Sequence, residues 1–276
     1  MVNSSIKSPL RYPGGKSRAV KEIWKYIEPL NPKTLCSPFF GGGSLEIFCA
    51  QRGIKVYGYD NFRPLVDFWR WLLKDPKKLA KNVKTYHPLT PRKKFYDLQK
   101  EHVTIKDSFQ RAVKFYVLNR TSFSGSTLSG GMASGGKDDN PRFTESSIKR
   151  IMDFKIDNLD VKLASFEKSI LKHPDDLLYL DPPYLIKSKL YGNKGDLHKN
   201  FKHDVLAQIL KKRKKWILSY NDSEEIRKLY SGYVIEEPKW TYGMSKNKKS
   251  QELLIFSKDI KIELVENDEL KKISYI

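Results

Sequence analysis

The stretch Thr34-Leu35-Cys36-Ser37-Pro38-Phe39-Phe40-Gly41-Gly42-Gly43-Ser44 passes from an apolar run to a run of glycines. Its first three residues predict a short strand, and residues 44–52 predict a helix that ends at Gly53. A second strand is predicted at residues 55–59, directly before Asp60. Strand, glycine-rich turn, helix and strand in this order form a βαβ unit. The sequence therefore predicts a parallel sheet in an α/β domain.

A second motif, Asp181-Pro182-Pro183-Tyr184, directly follows the apolar run Leu177–Leu180. A buried strand that ends this way places an acid and an aromatic ring at the carboxyl edge of the sheet, where open α/β sheets bind ligands. Proline lacks a backbone N–H and has a fixed φ, so the nearby carbonyl groups can face a ligand. Acceptors beside an aromatic ring suit a flat amine such as adenine. The alternative is an ordinary strand followed by a turn.

The region between these motifs has a different pattern. Residues 62–118 predict helices interrupted by proline and lysine, without a strand pattern. Residues 122–141 are rich in glycine and serine, which is typical of either a functional loop or a disordered connector. We therefore predict a catalytic α/β domain formed by residues 1–61 and 146–276, interrupted by a mostly helical insert at residues 62–145.

The remaining periodic segments agree with an α/β domain. They are a helix at 17–28, a segment of the α/β pattern at 148–154, a helix at 203–212, a strand at 215–220 and a terminal hairpin formed by 233–235 and 252–256, which a basic loop at 245–249 joins.

The composition of the chain indicates which class of partner it binds and in which cellular compartment it lies. The chain has 276 residues and a formal net charge of +20. This excess of positive charge favours a protein that binds polyanions such as nucleic acids. The alternative is a basic protein that is merely soluble. Cys36 and Cys49 lie in or near apolar runs and are predicted to be reduced core thiols. No apolar stretch approaches the ~20 residues that span a bilayer, and no signal region is evident at the N-terminus. These features predict an intracellular protein that does not bind a membrane, and the histidines show no zinc-site spacing.

The glycine turn and Asp60 together indicate a nucleotide site. A glycine run between strand and helix exposes N–H groups and lets a ligand approach the backbone, although it is not a P-loop sequence. Asp60 is placed like the acid that binds ribose hydroxyl groups in nucleotide-binding folds. With Asp181 nearby, these residues predict a site for an adenosine-bearing cofactor beside an amine-bearing substrate.

Five motifs in order resemble the Dam-like, D12-type (alpha) class of DNA adenine-N6 methyltransferases. They are Arg11-Tyr12-Pro13-Gly14-Gly15-Lys16, Pro38-Phe39-Phe40-Gly41-Gly42-Gly43-Ser44, Asp60-Asn61, Leu118-Asn119-Arg120-Thr121 and Asp181-Pro182-Pro183-Tyr184. The resemblance spans about residues 9–257. It implies a Rossmann-like sheet that binds S-adenosylmethionine (AdoMet), an inserted target-recognition domain and methyl transfer to N6 of a flipped-out adenine in duplex DNA, without a metal.

The resemblance also implies roles for individual residues. The implied catalytic residues are Asp181, Pro182, Pro183 and Tyr184, with Asp181 and Pro182 accepting hydrogen bonds from the target amine and Tyr184 stacking on the base. The implied cofactor residues are Tyr12, Lys16, Phe39, Gly41, Gly43, Asp60, Phe166 and Asp181. The chain departs from many relatives at Tyr12, where they have tryptophan, and at Ser165, where some have an acid.

The insert is the predicted DNA-binding part of the chain. Its candidate DNA contacts are Arg92, Lys93, Lys94, Arg120, Ser124, Ser126 and Thr127, and Arg111 and Lys114 are further candidates for phosphate contacts. An alternative role for Arg120 is to cap the preceding helix. The loop at residues 190–196 is predicted to close over the flipped base or to be a plain surface loop.

Other activities are compatible with parts of this pattern. Cytosine-N4 methylation uses similar amine chemistry, and a catalytically silent DNA-binding relative or a methyltransferase for RNA or protein amines are further alternatives. One expected role is to partner a cognate restriction endonuclease that acts on the same site. The alternatives are to protect a viral genome or to mark cellular DNA. A monomer or a weak dimer is expected.

Overall fold

The computed structural model of the protein describes residues 6–133, 140–185, 201–238, 252–264 and 271–276. The predicted loops at 190–196 and 245–249 lie outside these ranges.

A seven-stranded sheet forms the centre of the fold. Its strands in chain order are β1 (Thr34–Ser37), β2 (Lys55–Asp60), β3 (Leu159–Leu163), β4 (Leu177–Leu180), β5 (Trp216–Asn221), β6 (Val234–Glu236) and β7 (Glu252–Phe256). The order across the sheet is β3-β2-β1-β4-β5-β7-β6. Strands β1 to β5 pair in parallel, while β7 is antiparallel to both β5 and β6. The predicted parallel sheet and the predicted terminal hairpin are therefore confirmed.

The described ranges also contain ten α-helices. They are α1 (Val20–Ile27), α2 (Ser44–Ala50), α3 (Arg63–Lys74), α4 (Pro76–Lys84), α5 (Lys93–His102), α6 (Ser108–Thr121), α7 (Glu145–Met152), α8 (Phe166–Lys172), α9 (His203–Lys211) and α10 (Glu224–Leu229). Two 3-10 turns, Glu28–Leu30 and Phe123–Gly125, follow α1 and α6.

Alternate residues of each central strand face opposite apolar layers. In β4, Leu177 and Tyr179 belong to one buried cluster, while Leu178 and Leu180 belong to the other. The first cluster includes residues of α1 to α7, and the second includes residues of α8, α9 and α10. Strands that bury both faces explain the continuous apolar runs in the sequence. The fold is a three-layer α/β arrangement.

The first helix of the predicted insert packs as part of the α/β core. Phe68 of α3 stacks on Tyr116 of α6 with ring centroids 5.4 Å apart and planes 9° apart. The Trp69 indole N–H donates to the carbonyl oxygen of Gly41 at 3.0 Å, which ties α3 to the glycine turn. The division at residue 62 remains a prediction about domains, and no break in the apolar cluster marks it.

Strand β3 and a C-terminal hairpin were not anticipated from the sequence. Strand β3 is an edge strand whose exposed or half-buried positions carry Asp160 and Lys162, so it lacks the apolar run of a central strand. The α/β segment predicted at 148–154 is mostly helix α7, whose N-terminus is capped by Thr144. A C-terminal hairpin of β8 (Ile260–Leu264) and β9 (Lys271–Tyr275) is the second unanticipated element.

Candidate active site

A cavity of about 430 Å³ opens at the carboxyl ends of β1, β2 and β4. This edge includes the boundary between β1 and β4, where the strand order reverses direction along the chain. Ligands of open α/β sheets bind at such a boundary, and the volume is within the range of small-molecule sites. The cavity brings together the first, second, third and fifth motifs of the sequence.

The glycine turn is shaped by close contacts that exclude side chains. Gly41 has φ of +48°, and a Cβ atom there would lie 2.9 Å from the Tyr12 ring. Gly43 has φ of +63°, and a Cβ atom there would lie 2.8 Å from the Phe40 ring. Such contacts and left-handed backbone angles require glycine. The turn thereby brings backbone and the Tyr12 ring to the cavity wall.

Asp60 links the end of β2 to the glycine turn. Its carboxylate accepts the backbone N–H of Gly41 at 3.1 Å and that of Phe62 at 2.9 Å. Burial raises the pKa of Asp60 to about 6, although these N–H groups oppose the rise. A carboxylate fixed in this way lines the cavity and can accept hydroxyl hydrogens from a ligand.

Three phenylalanine rings form one wall of the cavity. Phe39 and Phe166 are stacked with ring centroids 5.6 Å apart. The Phe201 ring lies edge-on to Phe39, at 5.5 Å between centroids, and is tilted against Phe166, at 5.4 Å. Phe39 and Phe166 were predicted from the sequence, whereas Phe201 was not. Phe201 stands alone among polar residues before α9, so no local pattern distinguishes it.

Lys16 lies at the centre of the polar wall. Its Nζ donates to the two carboxylate oxygens of Asp181 at 2.6 and 2.8 Å and to the hydroxyl oxygen of Tyr184 at 2.7 Å. A carboxylate oxygen of Glu252 lies 3.7 Å from the same nitrogen and accepts the Tyr184 hydroxyl at 2.7 Å. Lys16 is only 5% exposed. The first and last sequence motifs therefore meet in one buried hydrogen-bonded cluster.

The charge of Lys16 opposes the effect of burial on Asp181. Burial raises the pKa of Asp181, while the Lys16 ammonium and the hydrogen bonds from Lys16 and Tyr184 lower it. An opposite charge within hydrogen-bond distance favours the ionised carboxylate. Lys16 thus maintains Asp181 as a hydrogen-bond acceptor despite its burial.

Two carboxylates of this region were missed by sequence reasoning. Glu252 is the first residue of β7, and Glu46 lies in the first turn of α2, where its carboxylate accepts the Ser37 hydroxyl at 2.7 Å. Glu46 lines the cavity and is 3% exposed. A signal for Glu46 was present, because an acid within the apolar run Leu45-Glu46-Ile47-Phe48 faces the core.

The fourth motif stabilises the N-terminal segment. The Asn119 amide accepts the Arg11 backbone N–H at 3.0 Å and donates to the Arg11 carbonyl oxygen at 2.8 Å. It also donates to the Thr127 hydroxyl at 3.2 Å. Asn119 therefore fixes the segment before Tyr12 against both α6 and the loop that follows it.

Arg120 and Thr127 do not have the exposure that base contacts require. Arg120 is buried and donates to the carbonyl oxygens of Arg142 at 2.7 and 3.0 Å and of Pro9 at 3.5 Å. Thr127 is buried, and its hydroxyl donates to the Gly125 carbonyl oxygen at 2.9 Å. The structure thus places both residues in internal contacts, Arg120 in the buried part of α6 and Thr127 in the segment that follows it.

Two further phosphate candidates also have internal partners. Arg111 forms an ion pair with buried Asp67 and donates to the Ile105 carbonyl oxygen, and Lys114 pairs with Glu101. The other predicted contacts are accessible: Arg92, Lys93, Lys94 and Ser124 are exposed, and Ser126 is half-buried.

The residues around the cavity match a known family. Residues 12–244 match the family of D12 class N6 adenine-specific DNA methyltransferases. The chain belongs to this family. Over 239 residues it is also 26% identical to an Escherichia coli protein, the retron Ec67 DNA adenine methylase, with 82% of this chain and 81% of that protein covered. Adenine-N6 DNA methylation is therefore its activity, and cytosine-N4 methylation is not favoured.

The methyltransferase family implies a methyl donor of the AdoMet type and DNA as the substrate. Within the described ranges, no group of three or more His, Cys, Asp or Glu side chains is placed to hold a metal ion. In the same part of the chain, no helix is both long and apolar enough to cross a bilayer. Cys36 and Cys49 are buried free thiols.

Proposed function

We propose that the methyltransferase transfers the methyl group of AdoMet to N6 of an adenine that has rotated out of duplex DNA into the cavity. The supporting observation is the Lys16–Asp181–Tyr184 cluster, which opens onto the same cavity as the glycine turn and Asp60. An acceptor for an amine and a nucleoside site thus lie side by side.

The cavity wall has the chemistry that AdoMet requires. The Phe39, Phe166 and Phe201 rings offer apolar surface to an adenine ring, and Asp60 offers acceptors to ribose hydroxyl groups. At Gly41 and Gly43 a side chain would collide with the Tyr12 and Phe40 rings that shape this wall. AdoMet would supply an activated methyl group on its sulfonium, so no covalent attachment to the protein is needed.

Asp181 and Pro182 would prepare the target amine. The lone pair of the adenine amino nitrogen is delocalised into the ring, so acceptors that bind both amino hydrogens favour a tetrahedral nitrogen. Asp181 retains lone pairs for this purpose, because a carboxylate has about four acceptor positions. When the amino nitrogen takes up the methyl group, which would leave S-adenosylhomocysteine, it would gain positive charge, and Asp181 would stabilise that charge until a proton is lost to solvent. Holding the amine in this pose contributes several kcal/mol.

Tyr184 would stack on the extruded adenine. Its hydroxyl is fixed by Lys16 and Glu252, so the ring plane is held before the base arrives. Extrusion of a base costs roughly a few kcal/mol, and a prearranged stacking surface offsets part of that cost.

We propose a DNA-binding surface that extends beyond the predicted insert residues. A groove of about 820 Å³ lies next to the cavity and shares Tyr12 and Lys16 with it. It is lined by the cationic residues Lys7, Arg11, Arg18, Lys21 and Arg150, together with Ser124. Cationic side chains along such a groove suit the phosphates on either side of the flipped nucleotide. Arg92, Lys93 and Lys94 of the insert would contact phosphates farther along the duplex.

The proposal is tested by Asp181→Asn, which keeps the shape of the side chain and removes its charge. We expect the loss of nearly all methyl transfer from labelled AdoMet to duplex DNA, with AdoMet and DNA still bound. Nucleoside analysis of the wild-type product identifies the methylated atom. Asp175→Asn changes an exposed aspartate and is the matched control. Turnover above a tenth of wild type in Asp181→Asn would exclude Asp181 as the catalytic acceptor.

A further inference from the structure

Glu46 is a buried carboxylate with few partners. Among the described residues, the donors to its carboxylate are the Ser37 hydroxyl, at 2.7 Å, and its own backbone N–H. Among the residues that the structure describes, no lysine or arginine nitrogen lies within 4.0 Å of its carboxylate. Glu46 nevertheless lines the cavity while being 3% exposed. A carboxylate in this position requires either a proton or a cationic ligand.

The charges around the cavity favour a cation. Its lining includes the carboxyl groups of Glu46, Asp60, Glu167 and Asp181, but only two lysines, Lys16 and Lys202. Lys16 is already paired with Asp181 and lies near Glu252 as well. The described lining therefore has an excess of negative charge, and Glu46 is the most deeply buried carboxylate of the lining.

We propose that the Glu46 carboxylate binds the α-ammonium group of AdoMet. This inference rests on AdoMet as the proposed methyl donor. Glu46 follows the glycine turn, and its partner Ser37 ends β1, which lies between β2, the strand of Asp60, and β4, the strand before Asp181. Asp60 would hold the ribose and Asp181 would face the reacting amine, which leaves the methionine arm of AdoMet for the Glu46 region.

The ammonium group is the better partner of the two cationic groups of AdoMet. An ammonium has three N–H donors, which a carboxylate accepts in strong charge-assisted hydrogen bonds. A sulfonium offers no N–H donor. The sulfonium must also lie next to the target amine at Asp181, whereas the ammonium lies at the far end of the methionine arm.

The ionisation of Glu46 supports the inference. Burial raises the pKa of Glu46 to about 7, while the Ser37 hydroxyl, its own backbone N–H and Lys16 lower it. The other titratable groups whose charges act on Glu46 or respond to it are Asp181, Cys49 and Tyr179. An ammonium bound to Glu46 would lower its pKa. Binding near pH 6.5 should then release a proton.

The test compares Glu46→Gln with wild type by calorimetry, without turnover. Three probes are used: AdoMet, S-adenosylhomocysteine, which retains the ammonium but has no sulfonium, and 5′-methylthioadenosine, which lacks the methionine arm. We expect Glu46→Gln to weaken AdoMet and S-adenosylhomocysteine by roughly 10- to 100-fold, as for the loss of a hydrogen bond between charged groups. Binding of 5′-methylthioadenosine should be unchanged, which also shows that the variant is folded.

Proton release gives an independent measurement. Titrations with S-adenosylhomocysteine at pH 6.5, in two buffers of different ionisation enthalpy, should show release by wild type and a smaller release by Glu46→Gln. Asp60 has a pKa of about 6 and is unchanged in both proteins, so the difference reports Glu46. A second variant, Ser37→Ala, should raise the Glu46 pKa further and weaken S-adenosylhomocysteine more at pH 6.5 than at pH 8.5.

Each other outcome overturns the assignment. Equal affinities of wild type and Glu46→Gln for S-adenosylhomocysteine would show that Glu46 does not bind the ammonium. Weakening of AdoMet alone would assign the carboxylate to the sulfonium, and equal weakening of all three probes would make Glu46 a residue that shapes the cavity. Failure of wild type itself to bind S-adenosylhomocysteine would instead reject AdoMet as the cofactor.

Discussion

Replacing Lys16 with glutamine should shift the acidic limb of the methyl-transfer rate to higher pH. In the wild-type structure, both Asp181 oxygens accept hydrogen bonds from Lys16 at 2.6 and 2.8 Å. Burial already raises the pKa of Asp181, and the Lys16 charge is the largest influence that lowers it. Removal of that charge leaves the carboxylate buried beside Glu252. The protonated form of Asp181, which has lost acceptor capacity, then persists to higher pH.

The size of the shift follows from the distance between the charges. An opposite charge this close changes a carboxyl pKa by about 1–3 units, so the limb should move up by about 1–3 pH units. The variant should also be less stable than wild type. Holding an aspartate with an ordinary pKa of 3.8 protonated at pH 7 costs roughly 4 kcal/mol. This cost is the upper bound on the loss of stability caused by Asp181, because the neutral acid avoids the larger cost of an unpaired buried charge.

The sign of the pH dependence is also fixed. A folded-state pKa raised above the unfolded value contributes stability that is present at low pH and lost as pH rises through the folded pKa. Since Lys16→Gln raises the Asp181 pKa further, the deficit in stability relative to wild type should be smaller at pH 5 than at pH 8.

The assay is a single-turnover measurement at saturating AdoMet and DNA from pH 5 to pH 9, with unfolding by denaturant at the two extremes. Lys25→Gln is the matched control, because Lys25 is an exposed lysine of α1 whose partner, Glu22, is also accessible. An acidic limb that coincides in wild type and Lys16→Gln would refute the reasoning. A uniform loss of rate at every pH would do so as well, since it would assign Lys16 to binding alone.

Three other predictions follow from single contacts. Asp60→Ala should weaken both S-adenosylhomocysteine and 5′-methylthioadenosine without changing DNA affinity, because a ribose contact is common to both ligands; calorimetry with unchanged affinities would remove Asp60 from the site. Gly43→Ala should destabilise the protein by roughly 1–3 kcal/mol, since φ is +63° and the new Cβ would meet the Phe40 ring, and denaturant unfolding with no loss would contradict this. Lys93→Gln should flatten the salt dependence of DNA binding by about one unit of slope, while Lys168→Gln on α8 should leave it unchanged; the same slope in both variants would exclude a phosphate contact at Lys93.

The sequence by itself determined six of the seven strands of the sheet, with ends within one residue of those in the structure. The apolar runs at β1, β4, β5 and β7 are strands because both of their faces are buried, and such runs can be recognised without tertiary information. The glycine turn was equally legible, because left-handed backbone angles require glycine wherever the fold places them. Strand β3 was not, because an edge strand alternates buried with exposed or half-buried residues over a short span.

Only the tertiary structure decided which charges meet. Lys16 and Asp181 are separated by 165 positions in the chain, and Glu252 enters their cluster from a strand that runs antiparallel to its neighbours. Arg120 illustrates the converse, since an arginine in a basic insert is equally compatible with DNA contact and with burial. The carbonyl groups that accept its hydrogen bonds belong to Arg142, 22 positions along the chain, and to Pro9, 111 positions before it. Local sequence specifies the backbone of each element, whereas the pairing of buried charges depends on how those elements pack.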